Sequence, residues 1–265
     1  MTLLDSESVV VGMVHLAPLP GSPGFGGDRD RIRDRALADA RSLAAGGVDA
    51  VMVENFGDVP FYPDAVPKHV VASMTDVVGR IVGAVDCPVG VNVLRNDADA
   101  ALSVAAATGA SFVRVNVHAG ARVTDQGLIE GRAHETLRLR DRLDAAVEIL
   151  ADVGVKHSTP LGEEPSLAAS IDDVVTRGLA DAVVVSGRGT GHAVDPARLE
   201  RAAAACERHD APLFVGSGVT RETIGDCLAH ADGVVVGTAL KTGGETTNAV
   251  DEGRVRAVVE AASSR

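Results

Sequence analysis

Eight short Val-rich runs, eight helical stretches that follow them one for one, and glycine turns at the ends of the last runs predict an α/β fold. The expected architecture is a single (β/α)8 barrel with a parallel eight-stranded core over residues 1–265. The runs are Val9–Val14, Ala50–Val53, Val89–Val93, Phe112–Val117, Glu148–Val153, Ala182–Val185, Pro212–Val215 and Gly233–Val236. Near-continuous apolar runs of this length suit strands buried on both faces of a parallel sheet. The intervening stretches predict helices over Arg29–Ala45, Lys68–Ala84, Ala98–Thr108, Thr136–Ala146, Ser166–Thr176, Pro196–His209, Thr220–His230 and Asp251–Ser263. Asp195-Pro196 and Thr220 are good helix starts. Gly46-Gly47, Gly109 and Gly178 fall where a helix must stop before the next strand. A doubly wound sheet would want a Gly-rich loop after the first strand, and none is there.

Composition bounds the function. Apolar residues make up 46% of the chain, aromatics only 2%, and there is no Trp, so the core is built from Val, Ala, Leu and Ile. The formal net charge of −12 argues against a nucleic-acid partner. Of the 25 Lys and Arg residues only Lys68, Lys156 and Lys241 are lysine. An acidic, Lys-poor, Ala/Val-rich composition fits adaptation to high salt, and equally an ordinary acidic protein from a GC-rich genome. Cys87, Cys206 and Cys227 have no metal-like spacing and read as small buried residues of a cytoplasmic protein. Met1–Ser8 lacks a basic leader, and no apolar run approaches the ~20 residues of a membrane span.

In a (β/α)8 barrel the chemistry comes from the C-terminal ends of the strands and the loops that follow. Two strand ends carry glycine beside a hydroxyl residue: Gly216-Ser217-Gly218 and Gly237-Thr238. A strand ending in Gly-Ser-Gly and running into a helix presents bare N–H groups and a helix dipole to a phosphate dianion. The tandem arrangement on the last two β-α units predicts a phosphate cup; either turn alone is better explained as a tight turn. Ser186-Gly187-Arg188-Gly189-Thr190-Gly191 is a third such turn, which extends the cup or holds a second phosphate. It is too irregular for a Walker loop.

The remaining strand ends supply His15; Glu54; Asn92 and Arg95; Arg114, Asn116 and His118; and Asp152, Lys156 and His157, with Asp125 and Gln126 in the long loop after the fourth strand. Polar groups atop an apolar barrel need partners, because burial without a hydrogen bond costs about 1–3 kcal/mol. So dense a set predicts an active site, with Asn92 and Asn116 as substrate contacts, although His15 and Asn92 also suit the capping of loop backbone. Glu54, at a strand end in an apolar frame, is the general acid/base candidate. Its alternative is an ion pair to Arg114 or Lys156. His118 and Asp125 join it as proton-transfer candidates. Lys156 fits either a Schiff base with a carbonyl substrate or charge pairing that steers an anion. The metal question stays open: His15, Glu54, His118 and His157 are the N/O donors that would have to converge, and Mg2+ bridging a phosphate is the other route.

The stretches Gly12-Met13-Val14-His15-Leu16-Ala17-Pro18-Leu19-Pro20-Gly21-Ser22-Pro23, Val53-Glu54-Asn55-Phe56-Gly57-Asp58 and Gly90-Val91-Asn92-Val93-Leu94-Arg95-Asn96 resemble the BtpA/SgcQ family. So do Asp152-Val153-Gly154-Val155-Lys156-His157, Val185-Ser186-Gly187 and Gly216-Ser217-Gly218-Val219-Thr220. The resemblance covers nearly the whole chain. It implies a TIM barrel akin to ribulose-phosphate-binding enzymes, in a family named for a photosystem I biogenesis factor, whose other members sit among sugar-metabolism genes. It carries over no catalytic residues. The sequence thus predicts an enzyme of isomerase or aldolase/lyase type acting on a phosphorylated sugar or nucleotide-derived substrate, assembled as a homo-oligomer. A non-catalytic biogenesis factor and a ligand-binding regulatory protein are the alternatives.

Overall fold

The computed structural model describes residues 3–5, 8–155, 157–187 and 194–263. Eight parallel strands close into a barrel: β1 (Val9–His15), β2 (Ala50–Glu54), β3 (Val89–Asn92), β4 (Phe112–Val115), β7 (Glu148–Val153), β9 (Ala182–Val185), β10 (Leu213–Val215) and β11 (Gly233–Val236). They follow one another around the ring in chain order, and β11 pairs back onto β1 through Val9↔Gly233 and Val11↔Val235. Helices α1 (Arg29–Ala45), α2 (Lys68–Val82), α3 (Ala98–Thr108), α4 (Ala133–Arg142), α5 (Leu167–Asp172), α6 (Pro196–Glu207), α7 (Ile224–Leu228) and α8 (Glu252–Ser263) form the outer layer. Asp28, Asp97, Ser166 and Asp195 cap their helices by accepting from the third residue onward.

The period of two in each strand divides the core into two parts. Val9, Val11, Met13, Ala50, Met52, Phe112, Leu150, Ala182, Val184, Phe214 and Val235 point into the lumen, joined by Leu3 from an N-terminal turn. Val10, Val14, Val51, Val53, Val91, Val113 and Val185 face the helices. Both parities are apolar, which is why the runs read as continuous. The lumen holds two rings, Phe112 and Phe214, each placed directly opposite a glycine on the next strand, Gly90 and Gly233. A Cβ on Gly90 would stand 2.2 Å from the Phe112 ring, and one on Gly233 2.4 Å from the Phe214 ring. The glycines make the space that the rings fill.

Three differences from the sequence expectation bear on function. First, α7 is only Ile224–Leu228, not Thr220–His230, because Thr220–Thr223 is taken up by a turn: the Thr220 N–H donates to Thr223 Oγ1 (3.0 Å) and its carbonyl accepts from Thr223 N (3.2 Å). The glycine turn before it therefore offers backbone N–H groups without a full helix dipole behind them. Second, a small antiparallel sheet lies in the loops after β4 and β7: β5 (Ala121–Thr124), β6 (Gly127–Glu130) and β8 (Ser158–Pro160), in the order β6-β5-β8. Thr124 pairs with Gly127, so Asp125 and Gln126 form the two-residue tip of a hairpin. Third, the helix expected over Ser166–Thr176 is α5 followed by a π turn, Asp173–Arg177. No helix of the described residues is long and apolar enough to cross a membrane.

Candidate active site

The lumen parity runs on to the C-terminal ends of the strands, and one residue past β4 and β9, and builds a polar layer on the apolar one. His15 follows Met13, Glu54 follows Met52, Arg114 and Asn116 follow Phe112, Asp152 follows Leu150, and Ser186 follows Val184. Above this layer opens a cavity of about 690 Å3.

One wall comes from β1 and β2. Their ends pair as His15↔Glu54, with His15 Nε2 3.8 Å from Glu54 Oε1, and Glu54 is only 8% exposed. The His15 ring lies 4.8 Å from that of Phe56, and Phe61 lines the same side. The segment Glu54–Asp58 also stitches three loops together. Leu19 N donates to Asp58 Oδ1 (2.7 Å), Asn55 Nδ2 donates to Asp58 Oδ2 (3.2 Å), and Asn55 Oδ1 accepts from Leu94 N (2.7 Å). Burial raises the Asp58 pKa above the ordinary carboxylate value, against the lowering effect of the bonds from Leu19 and Asn55. Gly57 lies against the first loop so closely that a Cβ would meet Pro18 N at 2.5 Å, Ala17 C at 2.7 Å and Leu16 O at 2.7 Å.

The opposite wall comes from β3, β4 and β7. Arg114 donates two hydrogen bonds to Asp152, Nε to Oδ1 and Nη2 to Oδ2, both 3.0 Å, and Asn116 Nδ2 donates to Asp152 Oδ2 at 2.9 Å. Burial works against the Arg114 charge, but the Asp152 carboxylate outweighs it and Glu54 adds to it, so the Arg114 pKa is raised. Arg95 also lines the cavity. Burial lowers its pKa, offset in part by Asp152, Glu54 and Asp125. The hairpin tip, Asp125 and Gln126, and His157 complete this side.

The third wall is the pair of glycine turns. Ser217, Gly218, Val219 and Thr220 after β10, and Gly237, Thr238 and Ala239 after β11, all line the cavity. Among the described residues, the backbone N–H groups of Gly218, Val219, Thr238 and Ala239 have no acceptor. Gly218 holds the left-handed φ of +83° that favours glycine. Thr238 Oγ1 and Thr246 Oγ1 are 2.8 Å apart, and Ser186 Oγ donates to the Gly216 carbonyl.

Of the residues singled out from sequence, Glu54, Asn116, Asp125, Ser186, Ser217, Gly218, Gly237 and Thr238 come together around the cavity. Four described ones do not line it. His118 is fully buried, with Nε2 2.8 Å from the Gly178 carbonyl below the π turn, and burial lowers its pKa. Asn92 is spent on the β4 wall, its Nδ2 donating to Arg114 O (2.8 Å) and Asn116 Oδ1 (3.2 Å). Gly187 and Gly216 stand outside the described lining, and a Cβ on Gly216 would lie 2.7 Å from Val235. Lys156, Gly189, Thr190 and Gly191, with Arg188, lie outside the described residues. Among the described residues no three of His, Cys, Asp and Glu come together as a metal site; His118 stands apart from His15 and Glu54.

His15, Arg95, Arg114 and Asp152, to which the strand-end pattern assigns no catalytic or substrate-binding role of their own, also line the cavity. The signal was the alternation of charge within an apolar strand, as in Phe112-Val113-Arg114-Val115-Asn116. Thr246 was missed, since it reaches the cavity from a loop well past the last strand.

The solved structures that resemble this fold include a thiamine phosphate pyrophosphorylase from Pyrococcus furiosus (TM-score 0.61, 13% identity, covering 99% of this chain and 98% of that one). An N-(5′-phosphoribosyl)anthranilate isomerase from the same organism gives a TM-score of 0.59 at 12% identity, covering 97% and 100%. At such identities the likeness is one of fold. Sequence relatives are much nearer. The photosystem I biogenesis protein BtpA of Synechocystis sp. is 48% identical over 257 residues, 97% of this chain and 88% of that one. The putative sgc region protein SgcQ of Escherichia coli is 32% identical over 261 residues, 97% and 95% of the two chains. The family model described as the BtpA family matches residues 6–264, and with these relatives it settles the kinship that the strand-end motifs announced: the chain belongs to the BtpA family.

Proposed function

We propose that the protein is an enzyme acting on a phosphorylated sugar or nucleotide-derived molecule. The phosphate is held between the turn at Ser217–Thr220 and the turn at Gly237–Ala239, and Glu54 with His15 moves a proton on the substrate beside it. The observation that carries this reading is the convergence on one cavity of four N–H groups that have no acceptor among the described residues and a polar layer that includes Glu54. Two adjacent strand-end turns of this kind form the phosphate site of many (β/α)8 enzymes. Glu54 accepts the proton as carboxylate and His15, 3.8 Å away, exchanges it, while Arg95 stabilises the oxyanion that develops. This is the acid/base chemistry of an isomerase or an aldolase/lyase. Asp125 at the hairpin tip is a second proton-transfer group. A non-catalytic factor in photosystem I biogenesis, the process named for the Synechocystis relative, needs no ionisable layer beneath a cavity of this size.

The test is a thermal-shift and calorimetric screen with ribose 5-phosphate and related sugar phosphates on the parent, Gly218→Asp and Thr238→Val. A ligand at a hundred times its dissociation constant stabilises the fold by about 2.7 kcal/mol, a shift of several degrees. Gly218→Asp places a carboxylate in the cup and abolishes the shift. Its left-handed φ adds about 1–2 kcal/mol of strain, so unfolding is measured alongside. Thr238→Val, free of that strain, weakens binding. Undiminished affinity in both variants contradicts the site.

A further inference from the structure

We infer that the phosphorylated ligand carries a planar nitrogenous ring, as a nucleoside 5′-monophosphate does, with the ring on the Phe56 and Phe61 wall and its N–H edge at Gln126. The inference rests on the phosphate reading of the same cavity and goes one step beyond it, to the rest of the ligand.

Aromatic residues are the first observation. The chain has 5 Phe, 1 Tyr and no Trp. Phe112 and Phe214 fill the barrel lumen and Phe25 packs on the outer core. The other two, Phe56 and Phe61, are half-buried and line the cavity, with Leu94 and Val155 also in its lining. A pentose phosphate alone, hydroxylated on every side, gains little from such a wall; the face of a planar ring gains a stacking surface.

Size is the second. A cavity of about 690 Å3 lies in the range of drug-sized ligands, roughly 300–1,000 Å3, and exceeds what a single pentose phosphate fills.

Gln126 is the third. Its Nε2 donates to Asp125, which orients the amide, and its Oε1 is buried without a hydrogen-bond partner among the described residues. A buried acceptor left without a donor is costly, and a ring N–H supplies the missing donor. The charge balance of the described lining disfavours the competing explanation of the extra volume, a second phosphate. Among the described lining residues three carboxylates, Glu54, Asp125 and Asp152, face two arginines, and Arg114 is already engaged by Asp152.

The experiment is isothermal titration of the full chain with ribose 5-phosphate, ribose 1,5-bisphosphate, adenosine, and AMP, GMP, CMP and UMP. At least one nucleoside monophosphate binds about tenfold or more tightly than ribose 5-phosphate. Phe61→Ala removes that advantage and leaves ribose 5-phosphate affinity within about twofold, and Gln126→Leu alters the ranking among the bases. Equal affinity for ribose 5-phosphate and all four nucleotides, or strongest binding by the bisphosphate, overturns the ring and leaves the phosphate site standing. Binding of adenosine as tight as that of the nucleotides keeps the ring and overturns the phosphate site. Binding of none of these compounds overturns both.

Discussion

Replacing Arg114 and Asp152, singly and together, separates what the polar layer does for the fold from what it does for a ligand. Arg114 is 8% exposed and Asp152 6%, and two 3.0 Å hydrogen bonds join them. Arg114→Met leaves Asp152 buried with, among the described residues, the 2.9 Å bond from Asn116 alone. Asp152→Leu leaves a buried guanidinium without its carboxylate and Asn116 Nδ2 without an acceptor. Breaking a buried pair from one side costs about 3–5 kcal/mol, because the remaining charge is uncompensated. That corresponds to a fall in melting temperature on the order of 10 °C for a chain of this size. Replacing both sides with apolar groups removes the uncompensated charge. What remains is the unpaired Asn116 amide, about 1–3 kcal/mol. The double variant is therefore more stable than either single one, with a coupling of at least about 2 kcal/mol. Urea unfolding followed by far-UV circular dichroism is the assay. Fluorescence is a poor probe with no Trp and a single Tyr, and guanidinium chloride would screen the charges in question. Additive losses, with coupling under about 0.5 kcal/mol, refute the pairing argument. A pair that stabilises so little overall is kept for the cavity it lines, so the folded double variant binds phosphorylated ligands more weakly than the parent.

Two further predictions test other parts of the account. Gly57→Ala pushes a methyl into the backbone of Leu16–Pro18, so it destabilises by about 1–3 kcal/mol and disturbs the His15–Glu54 pair at the strand ends that these two loops follow; stability within about 0.5 kcal/mol of the parent contradicts this close approach. Lys241 is fully buried, with Nζ 2.8 Å from the Met13 carbonyl and 3.7 Å from Asp39, and burial pulls its pKa from 10.5 down to about 8 against the pull of Asp39. Between those values the unfolded chain holds more protons than the folded one. The stability of the parent relative to Lys241→Met therefore rises with pH across that window, by at most about 1.4 kcal/mol per unit. A flat difference from pH 8 to 10.5 removes the buried-ammonium argument.

The barrel was legible because its strands are buried on both faces: Val9–His15 is apolar at nearly every position, whichever way a side chain points. The strand-end rule located the site for the same reason, since the lumen parity carries Met52 to Glu54 and Phe112 to Arg114 and Asn116. It failed at His118 because β4 ends at Val115 and the chain turns, so the next step of two leads under Gly178 and not into the cavity. Strand order and the pairing of Arg114 with Asp152 depend on closure of the ring, which no local pattern encodes. The hairpin of β5 and β6 was hidden by its brevity and by mostly exposed side chains, although Thr124–Gly127 has the two-residue spacing of a tight turn. The short α7 was misjudged because Ile224, Leu228 and Ala231 keep helical spacing while the threonines before them bond to one another.

The central claim is that a phosphate sits between the two glycine turns, and a crystal structure of the protein with ribose 5-phosphate tests it most directly. The phosphorus is expected between Gly218-Val219 and Thr238-Ala239, within hydrogen-bond reach of their N–H groups, with the sugar extending toward Glu54 and His15. Phosphate density elsewhere in the cavity, or an empty cup at ligand concentrations that stabilise the protein in solution, contradicts it.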